Sequence, residues 1–411
     1  MVAYSKAALA TAENDVVKMR IGRSLPPAAA PVGWADLWNG VVGAFTPRAS
    51  VKARQDELRR ELDVAHVFPV SSGKAALHLT LSALKTLSAG TEVVIPAYTC
   101  FSVPASVLNA GLRPVLCDIN PATFDFDHAQ LQDVLTPDTL CVVSHHLFGI
   151  PSDIERTRAA CGTRHIFVIE DAAQAMDVGG CLPAPGTRGD VGIFSFGRGK
   201  NITCGAGGMI VTRSDAIAAA IETRYRRLPS PGWWEMVKDF AALVFMIVFI
   251  RPRLYWIPAA LPFLRLGMTE FPRTIRVRQM SGFKAGLLKN WRRHLVQSNE
   301  ARSAAAADLG ARMRIRVSDD SPRPLLRLPI LTSSPYEKHK IYLASKARGL
   351  GVSVAYPTSI DEIPEMRHAL DGRTFPSATR IASRLVTIPT HQWLLERDKQ
   401  ALVNLWRHRS A

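Results

Sequence analysis

The stretch SFGRGKNITCGAGG, running from Ser195 to Gly208, carries one lysine, Lys200, among glycines and other small residues. The apolar run VGIFSF leads into it and GMIVTR leads out. Two short strands joined by a glycine-rich turn account for this pattern. The role of Lys200 then decides what the turn is for. A Walker-type phosphate loop requires G-x-x-x-x-G-K-[ST]. Here Phe194 stands at the first glycine and Asn201 follows the lysine, so that reading fails. A solvated surface lysine and a shielded, nucleophilic amine remain. Glycines beside a strand end let backbone and ligand approach closely. Desolvation in such a place weakens an ammonium and makes its amine reactive.

A covalent lysine needs partners, and the upstream chain supplies candidates. VIEDAAQA places Asp171 just after the apolar run Ile166–Ile169, twenty-nine residues before Lys200. An acid at the carboxyl end of a strand lies where open parallel sheets take ligands. Asp is also a common helix N-cap, which is the plainer reading. SSGKAALHL opens a helix with Ser72, Gly73, Lys74 and Ala75. The free N–H groups of such a helix start can bind an anion. An amine, an acid for a pyridine nitrogen and a seat for a phosphate together are what pyridoxal phosphate requires.

The rest of the pattern sets the fold class. EVVIP and RPVLCDI read as strands around the helix-like SVPASVLNAG, LCVVSHH as a third strand and HIFVIED as a fourth. KAALHLTLSALKTL has helical apolar spacing, and a further helix is expected from Asp153 to Ala160. Strands alternating with helices predict an α/β fold whose mostly parallel sheet is covered on both faces. From about Pro324 the pattern changes: PLLRLPIL and RLVTIPTH read as strands, SPYEKHKIYLASKARGLG and LERDKQALVNLWRH as helices. These suit a small α+β unit packed on the large one. Near the start, SLPPAAAPVG breaks regular structure, so the first fifty residues read as an arm.

With 47% hydrophobic and 21% charged residues among 411, the chain is no disordered polymer. Its 51 Lys and Arg against 35 Asp and Glu leave a net charge of +16, which suits a nucleotide, a phosphate or an anionic lipid. The excess concentrates between Arg251 and Arg316, with fourteen Lys/Arg against Glu270, Glu300 and Asp308. No zinc-finger spacing, RNA-binding signature or helix-turn-helix accompanies it, so nucleic acid is not an expected partner. Cys100, Cys117, Cys141, Cys161, Cys181 and Cys204 show no CxxC pairing. They read as reduced and mostly buried, with no metal site expected. The first twenty residues lack the apolar core of a secretory signal, and a cytoplasmic location is expected.

One segment is out of pattern: DFAALVFMIVFIRPRLYWIPAALPFLRLGM. Its run Phe240–Ile250 is eleven residues long, short of the roughly 18–20 that span a bilayer. Two readings stand open. One is a buried core helix or subunit-interface helix. The other is peripheral contact of residues 240–268 with the inner membrane face, arginines at headgroup level and Tyr255 and Trp256 at the interface.

Taken in order, SSGKAALHLTL, VVIPAYTCFSVPASVLNAGLRPVLCDINPATFDFD, HLFGIPSDIE, VIEDAAQA and GDVGIFSFGRGKNITCGAGGMIVT resemble the DegT/DnrJ/EryC1/StrS family of sugar aminotransferases. The resemblance implies a fold-type-I pyridoxal-phosphate transferase with a large, mostly parallel seven-stranded-type sheet domain and a small C-terminal α+β domain. It implies that Lys200 holds the cofactor through a Schiff base and shuttles the proton between substrate and cofactor. It pairs Asp171 with the pyridine nitrogen and sets Gln174 against the ring hydroxyl. It assigns the phosphate to Ser195 with Ser72, Gly73, Lys74 and Ala75. Cys100 falls where the family stacks an aromatic on the ring, with Tyr98 and Phe101 beside it. Other departures are Lys74 for a usual Thr, Ala206 within GAGG, and an arginine-rich RYRRLPSPG where an asparagine loop is usual. The sugar-site loop ends in YPTS, while IPTHQWL keeps His391.

The implied activity moves an amino group from glutamate or glutamine to a keto-sugar, nucleotide-linked, in surface polysaccharide or secondary-metabolite biosynthesis, by a homodimer. A membrane-docked enzyme acting on a lipid-linked ketone is the alternative reading, and a non-catalytic regulatory homologue a third. The expected organisation is an arm over 1–50, a large cofactor-binding domain over 51–235, an apolar insertion over 236–270, connecting helices over 271–323 and a small domain over 324–411.

Overall fold

Seven short strands form one sheet: β1 (His66–Val70), β2 (Glu92–Pro96), β3 (Arg113–Cys117), β4 (Thr139–His145), β5 (Phe167–Asp171), β6 (Val191–Ser195) and β7 (Gly208–Thr212). The computed structural model describes residues 20–178, 183–261, 264, 266–267, 269–315, 323–367, 370 and 372–408. The spatial order is β1-β7-β6-β5-β4-β2-β3. Neighbours from β3 through β6 run parallel, while β7 runs against both β6 and β1. Every residue of β2, β4 and β7 is buried, as expected of strands covered on both faces. β1 lies at the edge, where its Pro69 costs no interior ladder bond. A second, antiparallel sheet joins β8 (Arg327–Leu331) to β9 (Leu385–Pro389), flanked by helices Pro335–Arg348, Pro376–Arg384 and Glu396–Arg407.

The arm is more ordered than its composition predicts. After Pro31 the chain enters a helix, Trp34–Phe45, whose first turn is closed by the Asp36 carboxylate accepting the Gly33 N–H at 2.9 Å. That helix crosses the short helix Gly282–Leu287 through glycines. A Cβ on Gly43 would lie 2.3 Å from the Gly282 carbonyl oxygen, and one on Gly286 would lie 2.2 Å from that of Asn39. Only glycine lets these backbones meet. Residues 1–19 of the arm lie outside the described residues.

The apolar segment forms the helix Trp233–Phe249 and a short helix Trp256–Ala259. Leu243, Met246 and Ile247 join a core cluster with Leu37, Phe283 and Leu287, and much of the rest of the longer helix is at the surface. Tyr255, expected at headgroup level, instead packs toward Arg327 and Tyr342, and burial pushes its phenol up to about 12. The cause is local: the Pro252 carbonyl accepts the Ser24 N–H at 2.9 Å, which ties the Arg251–Arg253 turn to the arm. Among the described residues no helix is long and apolar enough to cross a membrane. Pro262 and Met268 lie outside them, as does Cys181. Cys117, Cys141, Cys161 and Cys204 are buried free thiols, and Cys100 is half-buried and free.

Candidate active site

Strand register gathers one end of the sheet into a site. Gly208 pairs with Val70 on one side and Ser195 on the other, and His145 pairs with Asp171. These are the carboxyl ends of the parallel strands, where open sheets bind ligands. The helix Gly73–Leu84 starts three residues after β1, directly over Ser195. A Cβ on Gly73 would meet Ser195 Cβ at 2.9 Å and Oγ at 3.1 Å. A Cβ on Gly208 would meet the Ser72 carbonyl carbon and oxygen at 2.3 Å and the Gly73 nitrogen at 2.5 Å. The last glycine of GAGG therefore sets how closely β7 underlies the helix start.

Within this seat the donors divide. Ser72 Oγ caps the helix by accepting the Ala75 N–H at 3.2 Å, so those two groups satisfy one another. The Gly73 and Lys74 N–H groups open the helix with no acceptor among the described residues. Ser195 Oγ lies beside them and accepts the Gly197 N–H at 3.3 Å. Open N–H groups, the positive helix end and a hydroxyl form an anion seat. Lys74 extends its side chain into solvent at the same helix start.

Lys200 sits on the turn after β6, half-buried, with its N–H donating to the Gly197 carbonyl at 3.3 Å. The turn is clamped from behind. Arg302, fully buried on the long helix Trp291–Met313, donates to the carbonyls of Lys200 at 3.5 Å, Ala29 at 2.6 Å and Leu326 at 2.9 Å. It also reaches Ser298 Oγ at 3.1 Å. Burial brings its guanidinium down to about 10, so it stays charged at neutral pH. Asn201 donates to Asn299 at 3.2 Å, and Asn299 donates onward to the Met176 carbonyl and Asp177 Oδ1, each at 3.0 Å. These bonds tie the lysine turn to the segment following Asp171. Sequence reading missed both Arg302 and Asn299, because nothing marks them within an Ala-rich helix.

Asp171 ends β5, half-buried, and its Oδ1 accepts the Ala173 N–H at 3.1 Å. No helix follows it, so the N-cap reading falls away. Next to it His145 is buried between Thr99 Oγ1 at 3.0 Å and the Phe124 carbonyl at 2.8 Å. Burial lowers its pKa and keeps the ring neutral, so Nε2 donates to Phe124 and Nδ1 accepts from Thr99. Glu170 takes the opposite face of the sheet. Its carboxylate receives His146 Nε2 at 2.8 Å and the amides of Gly186, Arg188 and Gly189. Burial pushes that carboxyl up, but His146 and the loop amides outweigh it and hold it below its ordinary value.

Gln174 has both ends of its amide engaged: Oε1 accepts the Phe148 N–H at 3.1 Å and Nε2 donates to Tyr356 Oη at 2.9 Å. Tyr356, ahead of β9, reaches back to the large sheet. Its ring stacks with Phe101 at 6.3 Å and meets Tyr98 edge-on at 5.6 Å, and Tyr98 Oη donates to its carbonyl at 3.3 Å. Burial, with Cys100, Tyr98 and Asp171 nearby, holds the Tyr356 phenol well above its ordinary value. Cys100 Sγ itself accepts from Ser102 Oγ at 3.1 Å. The aromatic surface near Cys100 thus comes from its neighbours and from Tyr356. YPTS marked the loop, but only the fold reveals where its tyrosine goes. His391 is pinned in the interior, Nε2 donating to the Pro26 carbonyl at 3.0 Å and Nδ1 accepting the Trp393 N–H at 3.3 Å.

The donor set fits pyridoxal phosphate: two open N–H groups and a hydroxyl for the phosphate, a carboxylate for a ring nitrogen and a primary amine. The described residues bring together no group of three or more His, Cys, Asp or Glu that could hold a metal.

A sequence profile of the DegT/DnrJ/EryC1/StrS aminotransferase family matches residues 43–406. GDP-perosamine synthase of Caulobacter vibrioides is 38% identical over 156 residues, 38% of this chain and 42% of that protein. UDP-N-acetyl-3-dehydro-alpha-D-glucosamine 3-aminotransferase of Acidithiobacillus ferrooxidans is 34% identical over 185 residues, 45% of this chain and 49% of that protein. The matches thus span less than half the length of either relative. Among solved structures, Helicobacter pylori PseC, an aminotransferase of pseudoaminic acid biosynthesis, shares the fold with a TM-score of 0.75 at 15% identity, over 94% of this chain and 99% of that one.

Proposed function

The chain belongs to the DegT/DnrJ/EryC1/StrS aminotransferase family, and from that membership we propose that it is a pyridoxal-phosphate aminotransferase acting on a nucleotide-linked keto-sugar. The observation that carries this is the convergence of Lys200, Asp171 and the Gly73–Ser195 seat at the carboxyl ends of β5 and β6. Bound pyridoxal phosphate supplies an aldehyde that exchanges amines and a ring that takes up the electrons freed when a neighbouring C–H bond breaks.

Each residue has a task. Gly73 and Lys74 donate backbone N–H groups to the phosphate, with Ser195 Oγ beside them. Ser72 and Ala75 keep that helix start closed. Asp171 faces the ring nitrogen and keeps it protonated. Gln174 and the Cys100 segment border the ring, with Tyr356 fixing Gln174. Lys200 Nζ anchors the cofactor and, once displaced by the incoming amine, takes and returns the proton at the substrate carbon. Arg302 and Asn299 hold the lysine turn still while it does so. Glutamate or glutamine is the donor, the basic half of the chain suits a sugar diphosphate, and a cytoplasmic homodimer is the working assembly.

The test is spectroscopic. Protein loaded with pyridoxal phosphate should show a visible band that is lost on adding glutamate or glutamine and restored by a keto-sugar nucleotide. Lys200→Ala should abolish both changes. A band in the parent that no amino donor alters, or full cycling by Lys200→Ala, overturns the proposal.

A further inference from the structure

Two neighbouring helices expose apolar faces where surface helices ordinarily turn polar ones. On Trp34–Phe45, Trp34, Trp38, Val42 and Phe45 follow the spacing of a single helix face and lie open to solvent, Trp38 at 68% and Phe45 at 84%. On Trp233–Phe249, Trp234, Val237, Ala241 and Phe245 do the same, Trp234 at 73%. The helices touch each other, and both rest on the Gly282–Leu287 helix. Phe240 meets Phe283 at 6.2 Å, and the glycine crossing holds the other helix. Soluble monomers rarely leave so large a continuous apolar surface open.

The charges around this face say what covers it. The acids of the Trp233–Phe249 helix are bound inward, Glu235 to Arg278 at 3.0 Å and Asp239 to Lys284 at 2.9 Å. Its remaining charged residue, Lys238, points out. Arg48, three residues past Phe45, and Arg251 and Arg253, just past Phe249, are also exposed and have no ion pair among the described residues. A tryptophan-rich apolar face with cations at its edges and its acids turned away matches an anionic bilayer surface, with tryptophan at headgroup level. A second copy set against it about a two-fold axis would bring these cations toward one another. The helix of seventeen residues is about 25 Å long and lies along the surface of the fold, so it would rest in the plane of the membrane.

We propose that the paired helices Trp34–Phe45 and Trp233–Phe249 dock this protein on an anionic membrane surface. The face adjoins the catalytic pocket: Glu235 pairs with Arg278, whose backbone N–H donates to Ser71 Oγ at 3.2 Å, next to the phosphate seat. Docked in this way, the enzyme would meet acceptors carried on a lipid. That corollary rests on the aminotransferase reading; the docking itself does not.

The full chain is spun with vesicles of mixed phosphatidylcholine and phosphatidylglycerol and with vesicles of phosphatidylcholine alone. Pelleting with the anionic vesicles, weakened by salt, is expected, together with quenching of tryptophan emission by brominated lipid. The exposed double variant Trp38→Ser/Trp234→Ser should bind at least about tenfold more weakly, with an unchanged circular dichroism spectrum. Lys238→Glu/Arg251→Glu should lose the preference for anionic lipid. Absence of binding by the parent overturns the proposal, as does equal binding by the Trp variant. So does a Trp variant that falls from dimer to monomer while the parent ignores vesicles, since the face is then a contact between copies. These readouts need no activity, so they fail or succeed separately from the aminotransferase assay.

Discussion

Gly208→Ala isolates the contact on which the anion seat depends. The added Cβ meets the Ser72 carbonyl at 2.3 Å and the Gly73 nitrogen at 2.5 Å. Both are backbone, so no side chain can swing aside. Relief to an ordinary van der Waals contact requires the helix start to move by about 1 Å relative to β7. Overpacking of this kind costs about 1–3 kcal/mol. With an unfolding entropy of roughly 2.1 cal/mol/K per residue over the chain, that lowers Tm by only about 1–4 °C. Cofactor affinity should suffer more. A 1 Å shift takes the Gly73 or Lys74 N–H away from the phosphate, and a hydrogen bond to a charged group is worth about 1.5–3 kcal/mol, roughly ten- to hundredfold in Kd. Absorbance titration of the apoenzyme with pyridoxal phosphate measures the second effect and calorimetry the first. Gly232→Ala is the control, since a Cβ there has nothing within 4 Å. A Gly208→Ala protein with the parent's Kd and Tm would refute the claim that this approach builds the seat.

Tyr356→Phe keeps the ring contacts with Phe101 and Tyr98 but frees Gln174 Nε2. A loss of about 0.5–1.5 kcal/mol in stability is expected, with a displaced cofactor absorbance maximum; an unchanged spectrum and melting curve would dismiss the contact. Arg302→Met leaves the Ala29 and Lys200 carbonyls without their donor, a cost of about 1–3 kcal/mol each that removal of a buried charge partly offsets. Turnover should fall more than cofactor affinity, and amide exchange of residues 197–204 should quicken; parent-like exchange there would show that the clamp is idle. For His391, burial holds the folded pKa at about 3 against 6.5 in the unfolded chain. The unfolded state therefore takes up a proton that the folded state refuses between those values. The contribution is intact above pH 6.5 and falls by a little over 1 kcal/mol per unit as the pH drops toward 3. Urea unfolding of His391→Gln should show a shallower acid slope, and parallel slopes would contradict this.

Local chemistry was legible where function depends on chain neighbours. The Lys200 turn, the strand ending at Asp171 and the helix opening at Ser72 each carry their signal within a few residues, through apolar runs, glycines and a capping hydroxyl. Six of the seven large-sheet strands were legible from apolar runs alone; β1, five residues long and interrupted by proline, was not. The division of labour inside the seat was hidden as well, because only geometry shows that Ser72 is spent on Ala75 while Gly73 and Lys74 stay open.

The sequence by itself determined the class of sheet, the identity of the lysine, the acid and the anion seat, and hence the family. Each follows from periodicity and from residue chemistry read over a short span. Tertiary structure alone decided how the site is held and what its surface can meet. Arg302 reaches a turn 102 positions away and Tyr356 a glutamine 182 positions away. Two helices nearly two hundred residues apart in the chain combine their tryptophans into one face. Such contacts depend on how the chain closes in space, through glycine crossings and sheet register, and no local pattern encodes which distant surface a side chain will meet.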